Sequence, residues 1–290
     1  KENIQKLALA MSLKIKAEHV EDKPVVIGYD RRFLSKEAVI WSCEIFGQQG
    51  IKVLFVDRSS PTPLIMFYVM KHDLSYGMMV TASHNPAIYN GIKVFTKGGR
   101  DADEHQTADI ERYLEQADKL YVPDLEENGQ MPPHAYQELV KSGQVVEMNP
   151  MNEYLDNIIS LINLDAIRER DLRIAIDPMY GVSLTALCTI LSIARCTVET
   201  INAQHDTLFG GKMPAPTEST LRNLQNYVLD RYCDIGIATD GDADRLGVID
   251  DKGHYLHANT ILVMLYYYLL KYRGWRGPAV RNLSTTHVLD

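Results

Sequence analysis

Apolar positions along the chain alternate between short unbroken runs and stretches with helical spacing, the signature of layered α/β structure. Residues 1–18 carry helical periodicity, and the apolar run over 24–30 predicts a short buried strand. Helical spacing returns over 35–49, a second strand is predicted over 51–56, and a helix over 63–72 with Thr62 as its cap. A third strand over 76–81 runs into the loop Ala82-Ser83-His84-Asn85-Pro86. The turn signal Asn90-Gly91 precedes a strand over 92–96, and 103–117 reads as a charged surface helix. Between Tyr121 and Pro133 the chain turns polar, with Pro123, Asn128-Gly129 and Pro132-Pro133, which predicts a loop inside or at the edge of the first unit.

A second unit follows, with a helix over 151–161, a strand over 172–177, a helix over 183–191 and a strand over 197–201. A Gly-Gly-Lys and Pro-x-Pro loop leads to a helix over 221–229 and a strand over 235–239; beyond the loop at Asp240 come a strand over 247–249 and a turn at Asp251-Lys252-Gly253. A third unit is predicted to open near Tyr255, with the apolar run 261–270 as a helix buried between layers and 278–282 as a strand with nothing after it. The expected division is therefore 1–150, 151–254 and a truncated third unit at 255–290. No internal repeat is visible by eye, and a structural relation between the successive α/β units stays open.

Composition narrows the class. At 46% hydrophobic and 23% charged, 290 residues suffice for two cores and exclude wholesale disorder. A net charge of −8, spread along the chain, argues against a nucleic-acid partner, which needs a basic face. It leaves an anionic small substrate open, because local field governs that. Cys43, Cys188, Cys196 and Cys233 form no C-x-x-C pair and read as buried thiols of a reducing compartment; a Cys188–Cys196 disulfide is disfavoured. The first residues carry no secretory signal, and 261–270 is too short to span a bilayer. A cytoplasmic protein without a membrane partner is expected.

The loop Thr81-Ala82-Ser83-His84-Asn85-Pro86 follows a strand, where α/β sheets place their active sites. His84 adjoins Ser83, but neighbours in sequence seldom bond side chain to side chain as a triad does, and no G-x-S-x-G elbow is present. Acyl transfer is therefore disfavoured. Phosphoryl transfer suits the loop better, since a phosphate-carrying serine needs a cationic environment rather than a permanent base. Lys93 and His84 are candidates to stabilise charge or move a proton. On the residues alone, a plain turn, with Ser83 and Asn85 bonding backbone ahead of Pro86, stays open.

Asp240-Gly241-Asp242-Ala243-Asp244-Arg245 sets three carboxylates at alternate positions between two apolar strands. Carboxylates so close repel unless a hard divalent cation holds them. An EF-hand would need Gly where Arg245 stands, Glu where Asp251 stands, and flanking helices, and it has none of these. Magnesium fits better, completing its shell with phosphate oxygen and water. The carboxylates and a phosphoryl group of roughly −1.5 to −2 outweigh the metal charge, and Arg245 offsets part of the excess.

Together the two loops resemble those of the α-D-phosphohexomutase superfamily, the phosphoglucomutase and phosphomannomutase enzymes. Thr81 to Pro86 matches its T-[AG]-S-H-N-P phosphoserine loop, Asn90, Gly91 and Lys93 its N-G-x-K element, and Asp240 to Arg245 its D-G-D-x-D-R metal loop. Gly28, Asp30 and Arg32 match a G-x-D-x-R element, and the stretch from Gly210-Gly211 to Thr217 is similar to the loop before the metal strand. In order and spacing these elements cover nearly the whole chain.

The resemblance implies consecutive three-layer α/β/α domains with mixed sheets and an active site in the cleft between them. It implies Ser83 as phosphoryl carrier, and Mg²⁺ held by Asp240, Asp242 and Asp244 with the phosphoserine oxygen of Ser83. His84 and Lys93 would lie by the reacting phosphate, and Arg32, Asn85 and Arg245 in the phosphate and substrate environment. The implied reaction interconverts hexose 1- and 6-phosphates through a hexose 1,6-bisphosphate, which also serves as activator. A metal-dependent sugar-phosphate phosphatase and a non-catalytic module keeping the fold are the alternatives. Full superfamily members have four domains. Their opening segment, most of the third domain with its sugar-recognition loop, and the phosphate-clamping fourth have no counterpart expected here. The chain thus reads as the chemical centre without most of the specificity apparatus, with little or no turnover alone.

Overall fold

A computed structural model describes residues 1–121 and 135–289. The polar loop expected between Tyr121 and Pro133 lies, from residue 122 on, outside the described residues. The first unit runs α1 (Glu2–Ala17), β1 (Val25–Tyr29), α2 (Ser35–Gln48), β2 (Val53–Val56), α3 (Thr62–Lys71), β3 (Tyr76–Val80), β4 (Ile92–Thr96), β5 (Arg100–Asp101), α4 (Glu104–Leu120), α5 (Ala135–Lys141) and β6 (Val145–Met148). Its strands form one mixed sheet in the order β5-β4-β3-β1-β2-β6. β1 pairs parallel with β2 and β3, β2 parallel with β6, and β4 antiparallel with β3 and β5.

Helices cover both faces of this sheet, which is why β1 and β3 are apolar and buried along their whole length. Val25, Ile27 and Tyr29 pack toward α1, α2 and Ile110 of α4, whereas Val26 packs with Leu64, Ile65 and Val69 of α3. The period-two alternation of the strand thus feeds two separate cores.

The second unit runs α6 (Met151–Leu161), α7 (Leu164–Arg168), β7 (Arg173–Asp177), α8 (Leu184–Ile193), β8 (Thr197–Thr200), α9 (Arg222–Arg231), β9 (Ile235–Thr239), β10 (Leu246–Asp250) and β11 (Tyr255–Leu256). Its sheet order is β11-β10-β9-β7-β8, with α8 on one face and α9 on the other. The run β10-β9-β7-β8 repeats β4-β3-β1-β2 in pairing and direction. The two units are therefore structurally related, although the sequence shows no repeat. Both are α/β/α layers around a mixed sheet, as the resemblance implies and in keeping with the layered α/β structure that the apolar pattern predicts.

Several expectations need correction. Thr62 is the first residue of α3 and not its cap; Pro61 takes that place, and the Thr62 hydroxyl bonds elsewhere. Tyr255 and Leu256 do not start a new layer but pair with Ile249 and Val248 as an edge strand of the second sheet. The apolar helix α10 (Ala258–Lys271) is not buried between layers, and none of its residues is buried. Its Leu262, Leu265 and Leu269 line an open pocket with Ala279 and Val280 of irregular chain and Leu289 of a 3₁₀ turn (His287–Leu289). Residues 278–282 form no strand, and among the described residues no strand lies beside them to satisfy their backbone groups. All four cysteines are free thiols. Among the described residues no helix is long and apolar enough to cross a membrane.

Candidate active site

The register Val80↔Ile92 of the β3–β4 hairpin leaves 81–91 as a loop at one end of the first sheet. The register Thr239↔Leu246 of the β9–β10 hairpin leaves 240–245 at the equivalent end of the second. The related corners of the two units face each other, and their contact is close. A Cβ on Gly241 would lie 2.9 Å from the Ser83 carbonyl oxygen, so the approach needs a glycine.

Ser83 sits in the left-handed region at φ +54°, unusual for a residue with a side chain. Its N–H donates to Thr81 Oγ1 at 2.8 Å, and Thr81 in turn donates to Asp30 Oδ2 at 2.7 Å. So held, the buried Ser83 hydroxyl donates across the cleft to Asp240 Oδ2 at 2.8 Å.

Asp240, Asp242 and Asp244 each offer a carboxylate oxygen within 4.8 Å of the others. Asp240 Oδ1 accepts the backbone N–H groups of Asp244 and Arg245, both at 3.1 Å. Asp242 Oδ2 accepts from Thr62 Oγ1 at 2.6 Å and Lys93 Nζ at 2.7 Å, and Lys93 also donates to Asp244 Oδ2 at 2.5 Å. The other oxygen, Asp242 Oδ1, is buried without a partner.

The electrostatics follow from that geometry. Burial, then the charges of Asp242 and Asp244, push the Asp240 carboxyl up to about 7. Burial would raise Asp242 too, but its bonds from Lys93 and Thr62 outweigh it and hold the carboxyl below the usual range. For Lys93 burial works downward, and the bonds to Asp242 and Asp244 overcome it and keep the ammonium charged. Burial, followed by the Arg245 charge, lowers the His84 imidazole, whose buried Nδ1 has no partner. A buried orphan carboxylate oxygen, three hard oxygen donors and one carboxyl forced toward neutrality fit a divalent cation of the magnesium type.

A cleft of about 600 Å³ opens on this cluster, lined by Ser83, His84, Asn85, Lys93 and Arg245 among others. The structure thus brings together eight of the nine residues singled out by the motifs. Asn85 is exposed, and Arg245 is half exposed with Nε 3.9 Å from Asp240 Oδ2. Arg32 is the exception. Expected in the phosphate environment, it is buried under the Ser83 loop and bonded to that loop's carbonyls, so no face is left for a ligand. Thr62 was missed as a partner of the metal loop. Its signal was available in Ser59-Ser60-Pro61-Thr62, a polar cluster at the end of the strand next but one to the Ser83 loop.

Comparison with known proteins agrees with this architecture. Residues 1–121 match the family model "Phosphoglucomutase/phosphomannomutase, alpha/beta/alpha domain I", and residues 152–253 match that for domain II. The chain belongs to the α-D-phosphohexomutase superfamily, in its phosphoglucomutase/phosphomannomutase family. Among its relatives, a "Probable phosphoglucosamine mutase" of Pyrococcus abyssi is 31% identical over 287 residues, covering 98% of this chain and 58% of the relative. A "Phosphoglucomutase/phosphomannomutase" of Thermococcus kodakarensis is 27% identical, covering 98% and 59%. A solved structure of a phosphomannomutase-like protein from Thermus thermophilus superposes with a TM-score of 0.85 at 25% identity, over 99% of this chain and 61% of that one. The chain therefore spans less than two thirds of the length of these relatives.

Proposed function

We infer that the chain carries the chemical centre of a phosphohexomutase, moving a phosphoryl group between the 1- and 6-positions of a hexose phosphate. The observation that carries this reading is the Ser83 hydroxyl bonded at 2.8 Å to Asp240, beside an Asp242 oxygen left without a partner. In this reading 1–150 supplies the phosphoserine, 151–256 the metal ligands, and α10 begins a further unit.

Asp240, Asp242 and Asp244 would hold Mg²⁺ together with an oxygen on Ser83. Bound there, the metal would neutralise charge on the transferring phosphoryl group. The remaining work belongs to the protein's own groups. In the forward step the bond from phosphorus to Ser83 Oγ breaks, and a bond forms to the free hydroxyl oxygen of the hexose monophosphate. That hydroxyl's proton passes to His84, whose imidazole is kept neutral by burial and by the Arg245 charge. Lys93 stays positively charged and stabilises the phosphoryl oxygens from the Ser83 side. Asn85 and Arg245, at the mouth of the cleft, orient the incoming phosphate. The hexose 1,6-bisphosphate then turns end for end; the Ser83 oxyanion takes its other phosphoryl group, the bond from that phosphorus to the hexose oxygen breaks, and the freed oxygen recovers the proton held on His84.

Support for a hexose phosphate comes from the relatives, which are named for glucosamine, glucose and mannose phosphates. The test is product analysis. Whole protein given hexose 1-phosphate, Mg²⁺ and a trace of hexose 1,6-bisphosphate should yield the 6-phosphate, and Ser83→Ala should yield none. Release of inorganic phosphate with no 6-phosphate formed would instead identify a phosphatase.

A further inference from the structure

Arg32 spends every donor it has inside the protein. Its Nε donates to Asp30 Oδ2 at 3.2 Å. One terminal nitrogen donates to the carbonyls of Pro86 at 2.8 Å and Tyr89 at 3.1 Å, and the other to those of Ser83 and Asn85, both at 2.7 Å. Four carbonyls of a single loop therefore converge on one guanidinium whose side chain has no exposure. Only a planar fork of five donors can meet that arrangement.

The same Asp30 oxygen accepts from Thr81, which receives the Ser83 N–H. Ser83 is thus gripped on both sides, its N–H through Thr81 and its carbonyl by Arg32, which accounts for its left-handed backbone. The guanidinium also lies over the ring of Phe209 from the second unit, 4.9 Å from its centre. Phe209 is buried, and its ring edge would meet a Cβ on Gly241 at 3.3 Å. One aromatic ring therefore touches both the clamp on the serine loop and the backbone of the carboxylate loop.

We propose that Arg32, seated on Phe209, is a positioning residue that sets the Ser83 loop against the carboxylate loop across the cleft. Its catalytic consequence rests on Ser83 being the phosphoryl carrier; its mechanical part does not. Arg32→Lys keeps the charge and removes the fork, and Phe209→Leu keeps apolar bulk and removes the ring.

The experiment follows three readouts in the whole protein: amide hydrogen exchange over 82–91, with β1 and β9 as internal reference; the rate of Ser83 phosphorylation by a hexose 1,6-bisphosphate; and Mg²⁺ affinity by titration. In both variants, loop exchange should quicken by about tenfold or more while β1 and β9 keep their protection. Phosphoryl uptake should fall about a hundredfold with Mg²⁺ affinity within about twofold of wild type. Unchanged loop exchange in both folded variants overturns the proposal, as does protection lost equally from loop and strands. Should wild type take up no phosphoryl group, the carrier reading fails, and the exchange data still decide the clamp.

Discussion

The two oxygens of Asp242 have different surroundings, and the difference makes the residue informative. Oδ2 is satisfied by Thr62 and Lys93, while Oδ1 is buried with nothing to accept from. Removing the Thr62 donor should expose that imbalance: Thr62→Val costs about 1.5–3 kcal/mol, lowering the melting temperature of the metal-free protein by roughly 3–12 °C. Asp240 sets the pH behaviour. Its carboxyl is raised to about 7 in the metal-free site, and a metal needs it ionised, so binding releases a proton as pH falls below that value. Magnesium affinity by calorimetric titration should therefore be about tenfold weaker at pH 6 than at pH 8. For stability the sign is opposite. With the folded value above the unfolded one, the folded state binds more protons, and Asp240 lowers metal-free stability as pH rises from about 4 to 7. The aspartates and Ser83 were legible in the sequence because each motif is compact. Thr62 and Arg32 were not placed correctly, because their partners lie 180 and 51–57 residues away and only the fold supplies them.

At the level of elements, the buried strands were the most legible, since burial on both faces leaves an uninterrupted apolar run. What was missed is short: β5 and β11 have two residues each, β6 four, α7 five and α5 seven. Such pieces carry too little periodicity to declare themselves and exist through their pairing, as β6 does along β2. The misplaced α10 shows the complementary difficulty, because apolar content says that a helix seeks a partner and not where the partner is. The decisive contact between elements is that of the two hairpin loops. Gly241→Ala forces them apart, since the added carbon would meet the Ser83 carbonyl at 2.9 Å. Phosphoryl uptake at Ser83 should drop about a hundredfold in this variant, and because the clash is with backbone the melting temperature should fall by roughly 2–10 °C as well. Wild-type uptake would show that the loops need not touch.

Across the whole molecule, two related sheets present equivalent corners to one another, and α6 ties them together. Met151 and Tyr154 pack into the core under α3, while Ile158 and Ile159 pack against α8. Between the corners stand Ser83, Lys93 and Thr62 from one unit and the three aspartates from the other, so a cation bound there would join both. Mg²⁺ at a hundred times its Kd should stabilise the fold by about 2.7 kcal/mol, raising the melting temperature by roughly 5–10 °C. Asp242→Asn should lose most of that rise at the same concentration. The central claim is that Ser83 carries a phosphoryl group, and intact mass tests it most directly. After incubation with a hexose 1,6-bisphosphate and Mg²⁺, the protein should gain one phosphoryl group, located at Ser83 by fragmentation and absent from Ser83→Ala. A folded, metal-loaded protein of unchanged mass, or a gain that persists in Ser83→Ala, would contradict it.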